Sequence, residues 1–407
     1  MRFALLAFVV LLPVQALLHP APAYVRWLDE IVLVALLPFA VVERWRGAGF
    51  AGERAVLASL AAFGCAAAAS AVANGVPALV AALGTFDYVK LVLFFWLFAT
   101  LTGERTFFRR LYRVVLVIGL LACGVGLGQE LVALGGGEGS WRLGIFRATS
   151  FLAHPNHLGL YALGLLLVEG ARAERPRGVH ALLYAGVVLS VSRFVHAAAA
   201  LLTLPLLRRR PWMAMACVGS LVFSALLLPL TAHEIGGDEA SYRAYALDRA
   251  VEVFEESPTL GAGPGRFGGV VSLTFRSPVY DRHPWEPRRF AFLSRIRSLD
   301  QFPAQLLAEL GVLGAIAFAL LYVALVRAVW LARGGERTGT GILLTVLVYP
   351  FYSLGAGLNL LVFPITFMAL AGAWTGRPRS PARDAPMEGD EGDGPHADGA
   401  AEPTGEP

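Results

Sequence analysis

Residues 232–267, AHEIGGDEASYRAYALDRAVEVFEESPTLGAGPGRF, and residues 288–302, RRFAFLSRIRSLDQF, bound a long polar segment between two apolar runs, 212–231 and 303–331. Every other connection between apolar runs is short. A polar stretch of this length is more than a turn, and such loops are either functional or disordered. Its mixture of aromatic, Arg and Gly residues is not the composition of disorder. The segment 232–302 is therefore read as a folded extramembrane loop that carries the chemistry.

Outward from it, the chain is apolar. Of 407 residues, 56% are hydrophobic, and the mean hydropathy is +0.61. That excludes a soluble domain, and the apolar residues fall in runs long enough to span a bilayer. Twelve such runs are expected, at 3–18, 26–42, 55–73, 86–102, 114–133, 150–168, 179–191, 194–207, 212–231, 303–331, 340–354 and 357–375. Ala21-Pro22-Ala23 resembles a cleavage site, but the first run is as long as the later ones and is read as a span. The fold class expected is an all-α polytopic membrane protein. Its parts are nine spans in 1–231, the loop 232–302, three spans in 303–375, and a tail from 376 to 407.

Loop charge supplies the orientation. Arg44, Arg46 and Arg54 lie in the second loop, and Arg105, Arg109, Arg110 and Arg113 in or beside the fourth. Arg172, Arg175 and Arg177 lie in the sixth, Arg208 to Arg210 in the eighth, Arg333 and Arg337 in the tenth. Short loops rich in Arg are cytoplasmic. The even loops and both termini are then expected on the cytoplasmic side, and the ninth loop, 232–302, on the outer side. The tail is Pro, Gly, Ala and acid, a composition read as disordered. Among the 34 basic residues, Lys90 is the single lysine. The arginines form no soluble basic face, so no nucleic acid is expected. Cys65, Cys123 and Cys217 all lie in apolar runs, with no disulfide framework or metal cluster. No cofactor fingerprint is present: the loop glycines are spaced G-x-G-x-G with no preceding strand, and no Gly-Lys-Ser/Thr follows them.

The loop is polarised. Residues 232–256 are acidic, whereas 257–302 hold seven Arg against Asp281, Glu286 and Asp300. Two solvated halves paired at the surface account for this in the plainest way; the functional reading is a basic half facing an anion. SYRAYALDRAVEVF (241–254) has helical spacing, with apolar residues at 247, 250, 251 and 254 and with Arg243 and Arg249 among them. Pro258-Thr-Leu-Gly261-Ala-Gly263-Pro-Gly265-Arg-Phe267 follows, a glycine-rich turn that shapes the loop or approaches a ligand.

Candidate residues also lie in the spans. Arg193, in LSVSRFVHAAAALLTL, is an ionisable group at membrane depth and so marks a site or snorkels to the interface. His196 shares its face and is read as a packed core residue. His154-Pro-Asn156-His157 is read as a helix start, not a metal pair. Asp29 and Glu30 are read as solvated interfacial acids. Asp300 precedes the last long run, where it caps the helix or serves as a base. Glu309 lies inside the membrane boundary and needs a partner, for which an Arg is expected.

Taken in order, these segments resemble the O-antigen ligase and polymerase family of bacterial envelope-polysaccharide enzymes. The resemblance spans residues 140–375. It rests on Phe151, Asn156 and Gly159, on L-S-x-S-R ending at Arg193, on Arg243 with Pro258 to Phe267, and on Gln305, Glu309, Gly311 and Gly314. It implies a GT-C-like, metal-independent glycosyltransferase without a cofactor. Such an enzyme moves a glycan from a polyprenyl-diphosphate carrier to a glycan or lipid-glycan acceptor at the outer face of the inner membrane. It implies Arg193 and Arg243 as diphosphate ligands and, with Asp300, as the catalytic residues. Arg266, Gly263, Gly265, Arg288, His283, Glu309 and Asn156 would contact substrate. Ligases of the family usually place His-Asn nine residues before the Glu. Here Asp300-Gln301 stands there, which moves the base role to Asp300, with His283 as a second candidate. A transporter or flippase of lipid-linked glycans is the alternative, although no paired halves are visible. A structural envelope protein would leave Arg193 without a purpose.

Overall fold

The structure, a computed structural model, describes residues 2–17, 28–134, 141–142, 145–146, 148, 150–152, 155–172, 177–206, 218–220, 222, 238–296, 299, 301–350 and 362–377. The amino-terminal part contains α1 (Arg2–Leu17), α2 (Leu28–Trp45), α3 (Glu53–Ala73), α4 (Ala78–Leu101) and α5 (Arg105–Leu134). A two-residue antiparallel ladder pairs Trp141 with Phe146 and Arg142 with Ile145. It leads to α6 (Pro155–Ala171), α7 (Arg177–Leu189) and α8 (Arg193–Thr203). The polar loop supplies α9 (Asp238–Glu256), α10 (Val270–Thr274), α11 (Val279–Arg282) and α12 (Pro287–Ile296). Then come α13 (Phe302–Ala332), α14 (Arg337–Val346) and α15 (Val362–Thr375).

This is a helical membrane protein. Among the described residues, four of the twelve expected spans are helices long and apolar enough to cross a bilayer: 53–73, 78–101, 105–133 and 302–332. Shorter apolar helices accompany them at Arg2–Pro13, Arg177–Leu189, Phe194–Leu206 and Phe363–Thr375. Most of the run 212–231 and the tail after residue 377 lie outside the described residues.

The bundle is built around α4, buried on nearly every face from Tyr88 to Leu101. Gly372 of α15 lets that helix approach the α4 backbone so closely that a Cβ there would lie 2.2 Å from the Phe95 carbonyl oxygen. Close approach through small residues is how helices associate in lipid, where no hydrophobic gradient drives them together. The aromatic core continues through Phe108 and Trp374, whose rings are 5.1 Å apart.

The bundle has two distinct ends. At one, Arg2 pairs with Glu104, and both Arg105 and Arg377 pair with Glu336. Arg44 and Glu53 join the turn between α2 and α3, while Gly52 abuts Ala328 of α13. At the other end, Ser70 and Asn74 meet the loop near Leu260 and Gly261. Arg-bearing turns therefore lie at the end opposite the loop.

The loop has a core of its own, formed by Tyr242, Ala246, Ala250, Val253, Phe267, Val279, Trp285 and Leu293 together with Ala304 and Ala308 of α13. The buried face of α9 is thus 242, 246, 250 and 253, a helical repeat of three and four. Of the apolar positions noted in its sequence, Ala250 lies on this face, whereas Leu247 and Val251 are 44% exposed. Small Ala residues let α9 lie close on α13, and the larger aliphatics were turned away.

Candidate functional site

Gly311 breaks α13 from within. Its φ of 61° and ψ of −165° are non-helical, a conformation that glycine adopts without a side-chain clash. The freed backbone groups are taken up by the glycine-rich turn. Val312 N–H donates to the Pro258 carbonyl (2.8 Å), and Leu313 N–H donates to that of Thr259 (3.1 Å). In return Ala262 and Gly263 N–H donate to the carbonyls of Ala308 and Glu309, at 2.9 and 2.8 Å. The two backbones interlock so closely that a Cβ on Gly261 would sit 2.4 Å from the Glu309 carbonyl carbon, and one on Gly311 2.5 Å from that of Thr259.

The Glu309 side chain completes the joint. Phe267 N–H donates to Oε1 at 2.7 Å, Gly265 N–H to Oε2 at 3.1 Å, and the Tyr88 hydroxyl to Oε2 at 2.8 Å. Only 1% of the residue is exposed. A carboxylate at membrane depth does find partners, but they are two backbone amides and a phenol, not the Arg expected. Glu309, expected among the substrate contacts, is enclosed by the loop that it holds.

The same turn is tied to the α3–α4 connection. Asn74 Nδ2 donates to Gly261 O at 2.9 Å, Ser70 Oγ to Leu260 O, and Arg266 Nη2 to Gly75 O at 3.2 Å. Desolvation, and then the neighbouring Arg282, lower the pKa of Arg266, although a guanidinium stays charged. Gly263 and Gly265 are buried and have positive φ. Gly265 lies against Gly84 of α4, where a Cβ would come within 2.3 Å of its nitrogen.

The other expected site residues fall in three places. Arg243 is half-buried on α9, and its carbonyl accepts from Gln301 Nε2 at 3.1 Å, which brings it to the step into α13. Asp300, immediately before Gln301, lies outside the described residues, as does the side chain of Arg193. The Arg193 backbone opens α8 after Ser192. There Ser190 and Val195 pack on Gly159, so this opening lies against α6, which also carries the half-buried Asn156. His196 is buried.

His283 and Arg288 stand apart from the Glu309 joint. His283 Nε2 is 3.0 Å from Glu256 and its Nδ1 is 3.5 Å from Glu252, while Arg282 pairs with Glu256 at 2.8 Å. The acidic and basic halves of the loop thus meet between α9 and α11, where the exposed Arg282–Glu256 pair contributes about 0–1 kcal/mol. Arg288 is exposed on α12. Its neighbour Arg289 stacks over Tyr245 at 4.3 Å.

Tyr88, Ser70 and Asn74 were not anticipated. Tyr88 sits in an apolar run beside Asp87 and Lys90, which mark the place but not its partner; Asn74, in Asn74-Gly75-Val76-Pro77, is a readable turn. Asp29 and Glu30 also need correcting. Asp29 is 3% exposed, and Lys90 Nζ lies 3.0 Å from Glu30 Oε1 and 3.4 Å from Asp87 Oδ1. They are members of a buried ionic cluster, because the sole lysine reaches α2 from α4.

Residues 178–319 match the family model described as O-Antigen ligase. No curated protein matches the chain. The matched stretch begins in α7 and ends within α13. It contains Arg193, Arg243, the glycine-rich turn and Glu309, while Tyr88, Lys90 and Asn156 lie before it.

Proposed function

We propose that this membrane protein, which over residues 178–319 is an O-antigen ligase-like chain, is a glycosyltransferase of surface-polysaccharide synthesis. Its donor is a glycan on a polyprenyl diphosphate, and its acceptor is a sugar hydroxyl of a glycan or lipid-glycan. It acts as a ligase or polymerase in the bacterial inner membrane, with loop 232–302 periplasmic and both termini cytoplasmic. The observation that carries the reading is the coincidence of two features. The family match covers the stretch in which the glycine-rich turn is locked onto α13 and Gln301 is bonded to the Arg243 carbonyl.

The acceptor oxygen forms a bond to the anomeric carbon, and the bond from that carbon to the diphosphate oxygen breaks. The electron pair leaves with the diphosphate, and the acceptor proton passes to a base. Negative charge grows on the leaving group, so fixed cations that meet it lower the barrier. Arg193 and Arg243 take that role, with the fork geometry suited to phosphate oxygens. Asp300 takes the proton, a role that calls for hydrogen-bonding reach of the hydroxyl. Arg266 and Arg288, with Asn156, contact the glycan or diphosphate. His283, Gly263 and Gly265 shape the loop wall, and Glu309 positions it. With two guanidinium groups supplying the positive charge, no metal is required.

The test uses purified protein in proteoliposomes with a polyprenyl-diphosphate glycan, an acceptor and a chelator. Transfer is expected in the wild type and is lost in Arg193→Ala. Transfer unchanged in the variant overturns the reading, as does a wild type that translocates the lipid without transferring its glycan.

A further inference from the structure

The first turns of α5 carry Arg105, Arg109, Arg110 and Arg113 on one exposed face, while Phe107, Phe108, Leu111 and Tyr112 are buried behind them. Spacings of three and four residues place these guanidinium groups side by side along the helix. Arg105 shares a single carboxylate, Glu336, with Arg377, each at 3.6 Å. Among the described residues, no carboxylate pairs with Arg109, Arg110 or Arg113. Like charges at this spacing repel, so an anion laid along the row stabilises it.

The row stands clear of the bilayer. The apolar part of the same helix, Val114 to Ala133, rises about 30 Å and suffices to cross the hydrocarbon core. Arg105 and Arg109 then lie about 13 and 8 Å beyond its edge, at or past the limit of a headgroup layer of about 5–8 Å. A ligand from the aqueous side meets the row more fully than a lipid headgroup does.

The chain brings such a ligand to this place. Arg377, two residues past the end of α15, stacks over Trp374 at 3.1 Å and lies 5.4 Å from the ring of Phe108, the neighbour of Arg109. A Cβ on Gly103, in the α4–α5 turn, would lie 3.1 Å from the Gly376 carbonyl oxygen. The chain beyond residue 377 therefore departs at the foot of α5. After Arg383 it holds no Lys or Arg, and its first acids are Asp384, Glu388, Asp390, Glu391 and Asp393. Five carboxylates there face four guanidinium groups. Asp384 can lie at most about 25 Å from Arg377 at full extension, and the row is about 12 Å long. The tether gives the segment an effective concentration on the order of mM.

We infer that the acidic segment 384–393 docks on the arginine row of α5 and straps the carboxy-terminal chain across the end of the bundle opposite the loop. The inference is independent of the transfer reaction.

Disulfide trapping in the full-length protein tests it. Thr106 is exposed beside the row, and Gly392 lies among the acids. Thr106→Cys and Gly392→Cys are combined with Cys65→Ala, Cys123→Ala and Cys217→Ala, and the protein is oxidised mildly in phosphatidylcholine nanodiscs. The intramolecular disulfide should form in 0.1 M NaCl and fall at least fivefold in 1 M NaCl, where the screening length drops from about 10 to 3 Å. Arg109→Glu with Arg113→Glu should give the same fall at 0.1 M, as should Asp390→Asn, Glu391→Gln and Asp393→Asn together, which leave α5 untouched. Asp390→Arg, Glu391→Arg and Asp393→Arg in the charge-reversed α5 should restore the disulfide. Yields indifferent to salt, or equal with native and reversed charges, overturn the docking. In nanodiscs containing phosphatidylglycerol the yield at 0.1 M should hold; its loss there assigns the row to anionic lipid and overturns the docking as well.

Discussion

Glu309, seven residues past the start of α13 and 1% exposed, accepts a hydrogen bond from the backbone amide of Phe267 at 2.7 Å. A carboxylate on a membrane helix thereby holds the polar loop in place, and the loop's glycine-rich turn in return supplies the backbone partners that the break at Gly311 requires.

Removing that carboxylate leaves buried amides without partners. Glu309→Ala should lower stability by roughly 3 kcal/mol, while Tyr88→Phe, which loses one hydroxyl bond, should cost about 1 kcal/mol. Both are read from thermal unfolding in detergent. In the Glu309→Ala background the second substitution should cost close to nothing, since its partner is already gone.

Gly261→Ala and Gly311→Ala force a Cβ onto backbone atoms at 2.4–2.5 Å in addition to a left-handed φ. Gly75→Ala meets nothing within 4 Å at a φ of 59°. The first two should cost more than about 3 kcal/mol and speed proteolysis within 257–268, whereas Gly75→Ala should cost only about 1–2 kcal/mol of left-handed strain.

Lys90 neutralises Glu30 and Asp87 inside the bundle. Lys90→Met strands those carboxylates and should destabilise by about 3–5 kcal/mol, the range for breaking a buried pair. Adding Glu30→Gln should recover part of that loss. Monodisperse yield by fluorescence size exclusion is the measurement.

For transfer, Arg243→Ala should reduce kcat by roughly a hundredfold or more, the scale for removing a group that stabilises developing charge. Arg288→Ala, on the exposed face of α12, should act mainly on KM. Equal effects of the two on kcat would contradict the division of roles.

Tyr280 gives the alkaline limit of the loop. Burial pushes its pKa up to about 12 from 10, and its hydroxyl accepts from Gly268 N–H at 3.0 Å. A raised pKa means stability that is whole below pH 10 and lost as pH climbs towards 12. Loop unfolding followed by tryptophan fluorescence should show this limb, and Tyr280→Phe should remove it.

The four long apolar helices and the ends of α13 were legible because hydropathy records them directly. The helical spacing of α9 was legible, but not which of its apolar positions is buried, because Leu247 and Val251 outweigh Ala246 in an apolar pattern. In the structure, small residues are what allow α9 to approach α13. Glu309 was legible as a carboxylate needing a partner. That the partners are the amides of Gly265 and Phe267 was not, since backbone donors look alike at every position. The Asp29–Glu30 pair was misplaced because Lys90 lies sixty residues along the chain from Glu30. Tyr88 stands between Asp87 and Lys90, charges that mark this part of the apolar run without pointing to Glu309 as its partner.

The break at Gly311 has a practical meaning for exchanging loops between related proteins. Pro258 to Gly263 and Ala308 to Leu313 complete each other's hydrogen bonding, so the loop ends, in effect, inside α13. A graft cut at residue 302, where polarity changes, would part each half from its complement. A graft carried through Gly314 would move the clasp whole, with Ser70, Asn74, Gly75, Gly84 and Tyr88 of the recipient still to be matched.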